Sequence, residues 1–202
     1  MHAKRYTINI RWNIETFILL GGAIASLIAS LYIIKNNWKQ YGLLFLLTAV
    51  VGEIMDITFV KLEFFTYPYK VFHEQFISPF TLVMTLFPFY IIFGVRYSPI
   101  SWKYKLPFYM AIIHLGMVGE VLAQNATKVI EYGRFWDTWD SYIWWWIFFL
   151  CFELIGDLIV STEYRKPISE DAFLYGSLGW YLIHFIFMIT VFLGGVFLGT
   201  KI

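Results

Sequence analysis

The chain contains six apolar runs, each near the length that carries an α-helix across a lipid bilayer. A hydrocarbon core about 30 Å thick needs about 20 helical residues at 1.5 Å each. The runs cover roughly 14–34, 42–63, 79–96, 106–125, 141–162 and 172–200. Backbone polar groups in hydrocarbon must be satisfied within the segment itself, which leaves the helix as the form for such runs. The predicted fold is all-α, a polytopic integral membrane bundle of six transmembrane helices forming one domain over 1–202. Composition agrees, with 59% hydrophobic residues against about 45–50% in soluble domains.

The ends of the runs carry their own signals. Lys35-Asn36-Asn37 closes the first, Pro79 and Pro107 sit near the starts of the third and fourth, and Asp140 or Ser141 is placed to cap the fifth. Trp38, Tyr41, Tyr67, Tyr69, Trp102, Tyr104, Trp136 and Trp139 cluster at run ends, as in an interfacial aromatic belt. His73 and Glu74 fall at the interface in the second connection. Lys4, Arg5 and Arg11 precede a first run too long for a signal-peptide core, so it reads as a retained helix. Six spans put both termini on one side, yet Lys and Arg divide almost evenly between the two faces and do not orient the chain. The net charge of +1 gives no basic surface for nucleic acid. A single cysteine, Cys151, excludes an intrachain disulfide.

Five acids interrupt the apolar runs: Glu53 and Asp56 in the second, Glu120 in the fourth, Glu153 and Asp157 in the fifth. Each carboxylate at a bilayer centre costs at least about 2.5 kcal/mol, so such residues mark function by default. Helical spacing puts each group on one stripe. At 1.5 Å per residue, Glu53, Asp56, Glu120 and Glu153 fall about 16–21 Å into their runs, near the midplane. The expectation is a midplane polar pocket lined by the second, fourth and fifth helices, with Asp157 nearer one surface. No Lys or Arg lies mid-span. A proton, a metal ion or a cationic ligand would then supply the counter-charge. The pairs E-x-x-D and E-x-x-x-D stand at corresponding places in the two halves, an echo that allows two inverted three-helix repeats.

His114 and His184 lie inside the fourth and sixth runs. With Tyr181, Trp145, Phe149 and Phe152 they are the candidate substrate-binding residues around the acids. No E-x-x-H, H-E-x-x-H, P-loop or G-x-S-x-G motif occurs, so no metal or cofactor is predicted. Small residues at Gly21, Gly22, Ala25 and Ala29, and at Gly195 and Gly199, allow close helix packing or a homodimer through the first or sixth helix.

The stretch from about 50 to 145 contains Asp56, Tyr67-Pro68-Tyr69-Lys70-Val71-Phe72, Phe87-Pro88, Glu120, Thr127-Lys128-Val129-Ile130-Glu131-Tyr132, Trp136 and Trp139. It resembles a poorly characterised family of small multi-helix membrane proteins of spore-forming Gram-positive bacteria. The resemblance implies a multi-pass protein of the bacterial plasma membrane and carries no catalytic role.

Two functions fit these residues. One is a membrane-embedded enzyme acting on a lipid or isoprenoid, with Glu53, Asp56, Glu120, Glu153 and Asp157 as acids and bases in an aromatic-lined pocket. Its chemistry is similar to that of integral-membrane terpenoid cyclases, with none of their motifs. The other is a proton- or cation-coupled transporter or solute-binding subunit. The expected partners are the bilayer and a hydrophobic or cationic small molecule. A structural or signalling role is the third alternative, with the acids joining helices.

Overall fold

The computed structural model describes residues 12–71, 79–174 and 176–201; Lys4, Arg5, Arg11, His73 and Glu74 lie outside them. Six long helices follow in order: α1 over Ile14–Ile34, α2 over Trp38–Lys61, α3 over Phe80–Tyr97, α4 over Trp102–Ala126, α5 over Thr138–Ile159 and α6 over Gly176–Lys201. Four of them, α1, α2, α4 and α5, are long and apolar enough to cross a membrane. The fold is therefore the expected all-α one.

Local chemistry sets the boundaries. Asn13 caps α1 by accepting from the Thr16 amide at 2.9 Å, and Asn37 caps α2 through the Gln40 amide. Helix α5 starts at a reciprocal capping box between Asp137 and Asp140, three residues before the expected start. Helix α4 starts four residues earlier than expected, at Trp102, with Pro107 inside it. Pro107 is the sixth residue of the helix, past the four amides that lack intrahelical partners, so it forgoes one helical hydrogen bond, to Lys103.

Helix α3 is the centre of the bundle and packs against α1, α2 and α5. On α1 the buried face is Ala23, Ser26 and Ser30, and the Ser26 hydroxyl meets Thr85 of α3 at 3.0 Å. Ala25 is exposed on the other side. Helix α6 is peripheral: Trp180 meets Tyr104, Phe187 meets Trp146, and Tyr181, Phe185 and Met188 are exposed. A central third helix and a peripheral sixth are not the equivalent places that an inverted repeat predicts. The outer faces of α1, α2, α4 and α5 expose Ile28, Leu46, Leu122 and Leu158, as suits helices facing lipid.

The interior is aliphatic and aromatic, with Tyr41, Leu44, Ile91, Ile92, Ile113 and Phe149 essentially sealed. At one end the α2–α3 and α4–α5 connections pair as a two-residue antiparallel ladder, β1 (Phe65–Thr66) with β2 (Glu131–Tyr132). Tyr69 and Gly133 extend it by donating their amides to Lys128 and Phe64. This ladder forms a roof over that end of the bundle. Gly133 is required there: a Cβ would collide with the carbonyl oxygen of Glu63.

Candidate functional site

Four of the five acids form two centres, at opposite ends of the bundle. Asp56 and Glu120 lie about 8–9 Å from the roof ends of α2 and α4, whereas Glu153 lies about 9 Å from the opposite end of α5. One shared midplane pocket is therefore not what the chain builds. Helices α2, α4 and α5 each begin three or four residues before the apolar runs suggest, which moves every acid toward an end.

The centre far from the roof is an ion cluster. Glu153, fully buried, accepts from Lys105, from the Tyr109 hydroxyl, from Ser98 at 3.3 Å and from Arg165 at 3.3 Å. Asp157, partly exposed, meets Arg165 at 2.8 Å and Lys105 at 3.7 Å. Two carboxylates thus face two cations. The expectation that no cation reaches the acids fails here, because Lys105 extends from the first turn of α4 and Arg165 folds back from beyond α5. Lys105 and Tyr109 form one stripe on α4, Glu153 and Asp157 another on α5, and the two stripes face each other.

The roof centre is built differently. Glu120 Oε1 accepts from the hydroxyls of Tyr132 at 2.7 Å and Ser141 at 2.6 Å, and Oε2 accepts from the Trp145 indole at 2.8 Å. The Trp136 indole donates to Ser141 at 2.8 Å, so a second tryptophan supports the same carboxylate. Gly116, one turn before Glu120, makes this possible: a Cβ there would come within 3.0 Å of the Trp145 ring. All of these donors are neutral. Asp56, buried on α2, accepts from the Tyr67 hydroxyl at 2.5 Å.

The roof tyrosines stay protonated over a wide pH range. Burial pushes the Tyr67 hydroxyl well above its ordinary range, and the neighbouring Asp56 adds to this. Tyr132 is raised by burial and then by Glu120. Burial pulls the Lys70 ammonium down, partly offset by the Asp56 charge.

Both carboxylates open onto a cavity of about 170 Å³ under the roof. Its walls are Gly52, Met55 and Phe59 from α2, Leu82, Val83 and Phe87 from α3, Ala123 from α4, and Trp144, Trp145 and Phe148 from α5. Phe65, Tyr67, Val129, Ile130 and Trp136 close it from the roof. Phe59 packs on Trp136 and Trp144 at ring separations of 5.1 and 4.9 Å, and Phe87 stacks on Trp145 at 4.9 Å.

Of the expected site residues, the cavity gathers Asp56, Glu120 and Trp145. Glu53, half-buried one turn before Asp56, is not among its lining side chains, though its charge acts on Tyr67. Phe149 and Phe152 belong to the sealed core. His114 is exposed and bonds the Met110 carbonyl, and His184 on α6 bonds the Trp180 carbonyl. Tyr181 is exposed. His114 and Tyr181 lie on outer faces, whereas His184 is half-buried against Trp180 on the peripheral α6, and none of the three lines the cavity. Sequence reasoning missed Tyr67, Tyr132, Ser141 and Trp136, taking Tyr67 and Trp136 for the interfacial belt and Ser141 for a cap. One signal was present: Ser141 and Trp145 are four apart, one stripe of a helix. Among the described residues no group of His, Cys, Asp and Glu is arranged to hold a metal ion. Comparison of the chain with family models, curated proteins and solved structures finds no match.

Proposed function

We propose that the chain is a six-span protein of the bacterial plasma membrane and that it works in the cavity under the roof. In this reading it is a membrane-embedded enzyme acting on a lipid or isoprenoid. Asp56 and Glu120 are its proton-transfer pair, positioned by Tyr67 and Tyr132. The supporting observation is that two carboxylates on different helices share one aromatic-walled cavity. Its volume bears on the substrate. An engineered apolar cavity of about 150 Å³ takes one benzene, so this one takes a single isoprene unit or a small head group, with the rest of the molecule outside. Filling such a volume with side chains would gain about 4 kcal/mol, at roughly 24 cal/mol per Å³. A site kept for packing alone would not forgo that.

Glu153 and Asp157 have no part in this chemistry, since Lys105 and Arg165 engage them in a cluster away from the cavity. The test is extraction and mass spectrometry of the purified protein beside Gly52→Leu. A Cβ at Gly52 makes only ordinary contacts with Phe148 and Val83, so leucine fills the cavity without disturbing the backbone. The expected result is a lipid or isoprenoid that accompanies the native protein and is lost from the variant. Identical extracts would sink the reading. An enzyme converts the added molecule, whereas a carrier returns it unchanged.

A further inference from the structure

Taking that cavity as the functional site, we infer that its occupant carries a compact organic cation, a methylated ammonium group. Three observations narrow the class. The first is charge. Glu120 meets only the neutral donors Tyr132, Ser141 and Trp145. The ion pairs among the described residues join Lys105 and Arg165 to Glu153 and Asp157, at the other end of the bundle. Lys70 feels the Asp56 charge but is not among the side chains lining the cavity, so an anionic ligand there would face the Glu120 carboxylate with no cation among the described lining residues.

The second is the state of the polar groups. Tyr67 gives its hydroxyl to Asp56, Ser141 and Trp145 donate to Glu120, and Trp136 donates to Ser141. These donors are already spent, so a carbonyl or phosphate oxygen would gain nothing from them. Glu120 already accepts three hydrogen bonds, so it can take about one of the three N–H groups of a primary ammonium. A methylated ammonium needs no acceptor, only a negative field and a soft wall.

The third is that wall. Phe59, Phe65, Trp136 and Trp144 border the space, and aromatic rings beside carboxylates are the surroundings that quaternary ammonium ions favour. The volume of about 170 Å³ suits a trimethylammonium group, which is close to benzene in size. Such a group belongs either to a lipid head group or to a free solute.

The experiment uses the protein in phosphatidylglycerol nanodiscs, titrated with choline, tetramethylammonium, ethanolamine and 3,3-dimethylbutan-1-ol, the uncharged isostere of choline. Tryptophan fluorescence is the readout, since three indoles border the site. Choline and tetramethylammonium are expected to bind about tenfold tighter than the isostere and than ethanolamine. Glu120→Gln is expected to remove that preference while the protein stays folded by circular dichroism. A parallel sample in phosphatidylcholine nanodiscs separates the sources. If those discs already quench the signal and weaken choline binding, the cation is a lipid head group; if choline binding is the same in both discs, it is a solute. Equal affinity for choline and its isostere, both lost in Gly52→Leu, overturns the cation and leaves the cavity reading standing. No binding in any sample also overturns the cation, and the extraction experiment above then judges the cavity separately.

Discussion

The two carboxylate centres are made from the same residue types on neighbouring helices, yet they are solved in opposite ways. At the far end Glu153 is sealed and compensated by charge, with Lys105 and Arg165 against it and Tyr109 and Ser98 donating as well. Under the roof Glu120 is compensated by dipoles alone, beside a cavity. A carboxylate matched by cations is a closed account of charge and makes a joint between helices. A carboxylate held by neutral donors keeps its field, and the cavity gives that field something to act on. Burial and acidity therefore do not identify a site by themselves; the kind of partner does.

The comparison is broken most directly at the ion cluster. Lys105→Met leaves Glu153 buried with less compensation, and removing one partner of a buried pair costs about 3–5 kcal/mol. The double variant Lys105→Met/Glu153→Leu removes both charges and keeps the Arg165–Asp157 pair at 2.8 Å. It should recover most of the loss. Thermal unfolding in detergent measures both. A single variant as stable as the native protein would show that the cluster is not the joint described.

Gly133→Ala acts at the roof. The new Cβ meets backbone, so the ladder must shift, and overpacking of this kind costs about 1–3 kcal/mol. Combined with Lys105→Met the losses should add to within about 0.5 kcal/mol, as for distant sites. A coupling well beyond that would mean the two ends are not independent centres.

Much of this architecture was legible in the chain. The six apolar runs give six helices with boundaries within about four residues, because length and hydropathy mark where a long apolar helix runs, and four of the six are long and apolar enough to span. The stripes were legible too: Glu153 with Asp157, and Gly116 with Glu120, share faces as their spacing requires. What was not legible was which stripe meets which. Lys105 read as an interfacial charge, since a long flexible side chain at a helix start points to water unless a partner lies inside. Arg165 returns from outside its helix, and no periodicity reports a chain reversal. Tyr67 and Tyr132 reach the acids only because β1 and β2 pair, two residues each, too short to leave a pattern. Depth failed for a simpler reason: polar residues such as Lys39 and Lys103 are helical although they lie outside the apolar runs.

The roof tyrosines sharpen the contrast through pH. Tyr67 and Tyr132 have folded-state pKa values above their unfolded value of 10.0. Below about pH 10 both states hold the proton and stability is flat. Above it the unfolded chain releases protons that the folded chain keeps, so stability falls as pH rises, by up to about 1.4 kcal/mol per pH unit for each group. Tyr67→Phe and Tyr132→Phe should each flatten the alkaline slope of unfolding between pH 10 and 11.5. An unchanged slope in both would place these hydroxyls in water rather than on the carboxylates.

The smallest effect on stability is expected from Glu120→Gln, and it is the most informative. The amide oxygen can accept from the Trp145 indole, which only donates. The amide nitrogen then faces Tyr132 and Ser141, whose hydroxyls can turn to accept. Every hydrogen bond has a replacement, so the loss should stay below about 1 kcal/mol. The same change in the ion cluster, Glu153→Gln, also leaves an oxygen for Lys105, Arg165 and Ser98, and the Tyr109 hydroxyl can turn to accept, but it removes the negative charge that Lys105 and Arg165 face. Two identical substitutions therefore separate the centres. The roof variant should keep its melting temperature and lose the preference for choline over its isostere, while the cluster variant should lose melting temperature and, where folded, keep that preference. If Glu120→Gln destabilises as much as Glu153→Gln, Glu120 is a joint like the other, and the cavity beside it is not where this protein works.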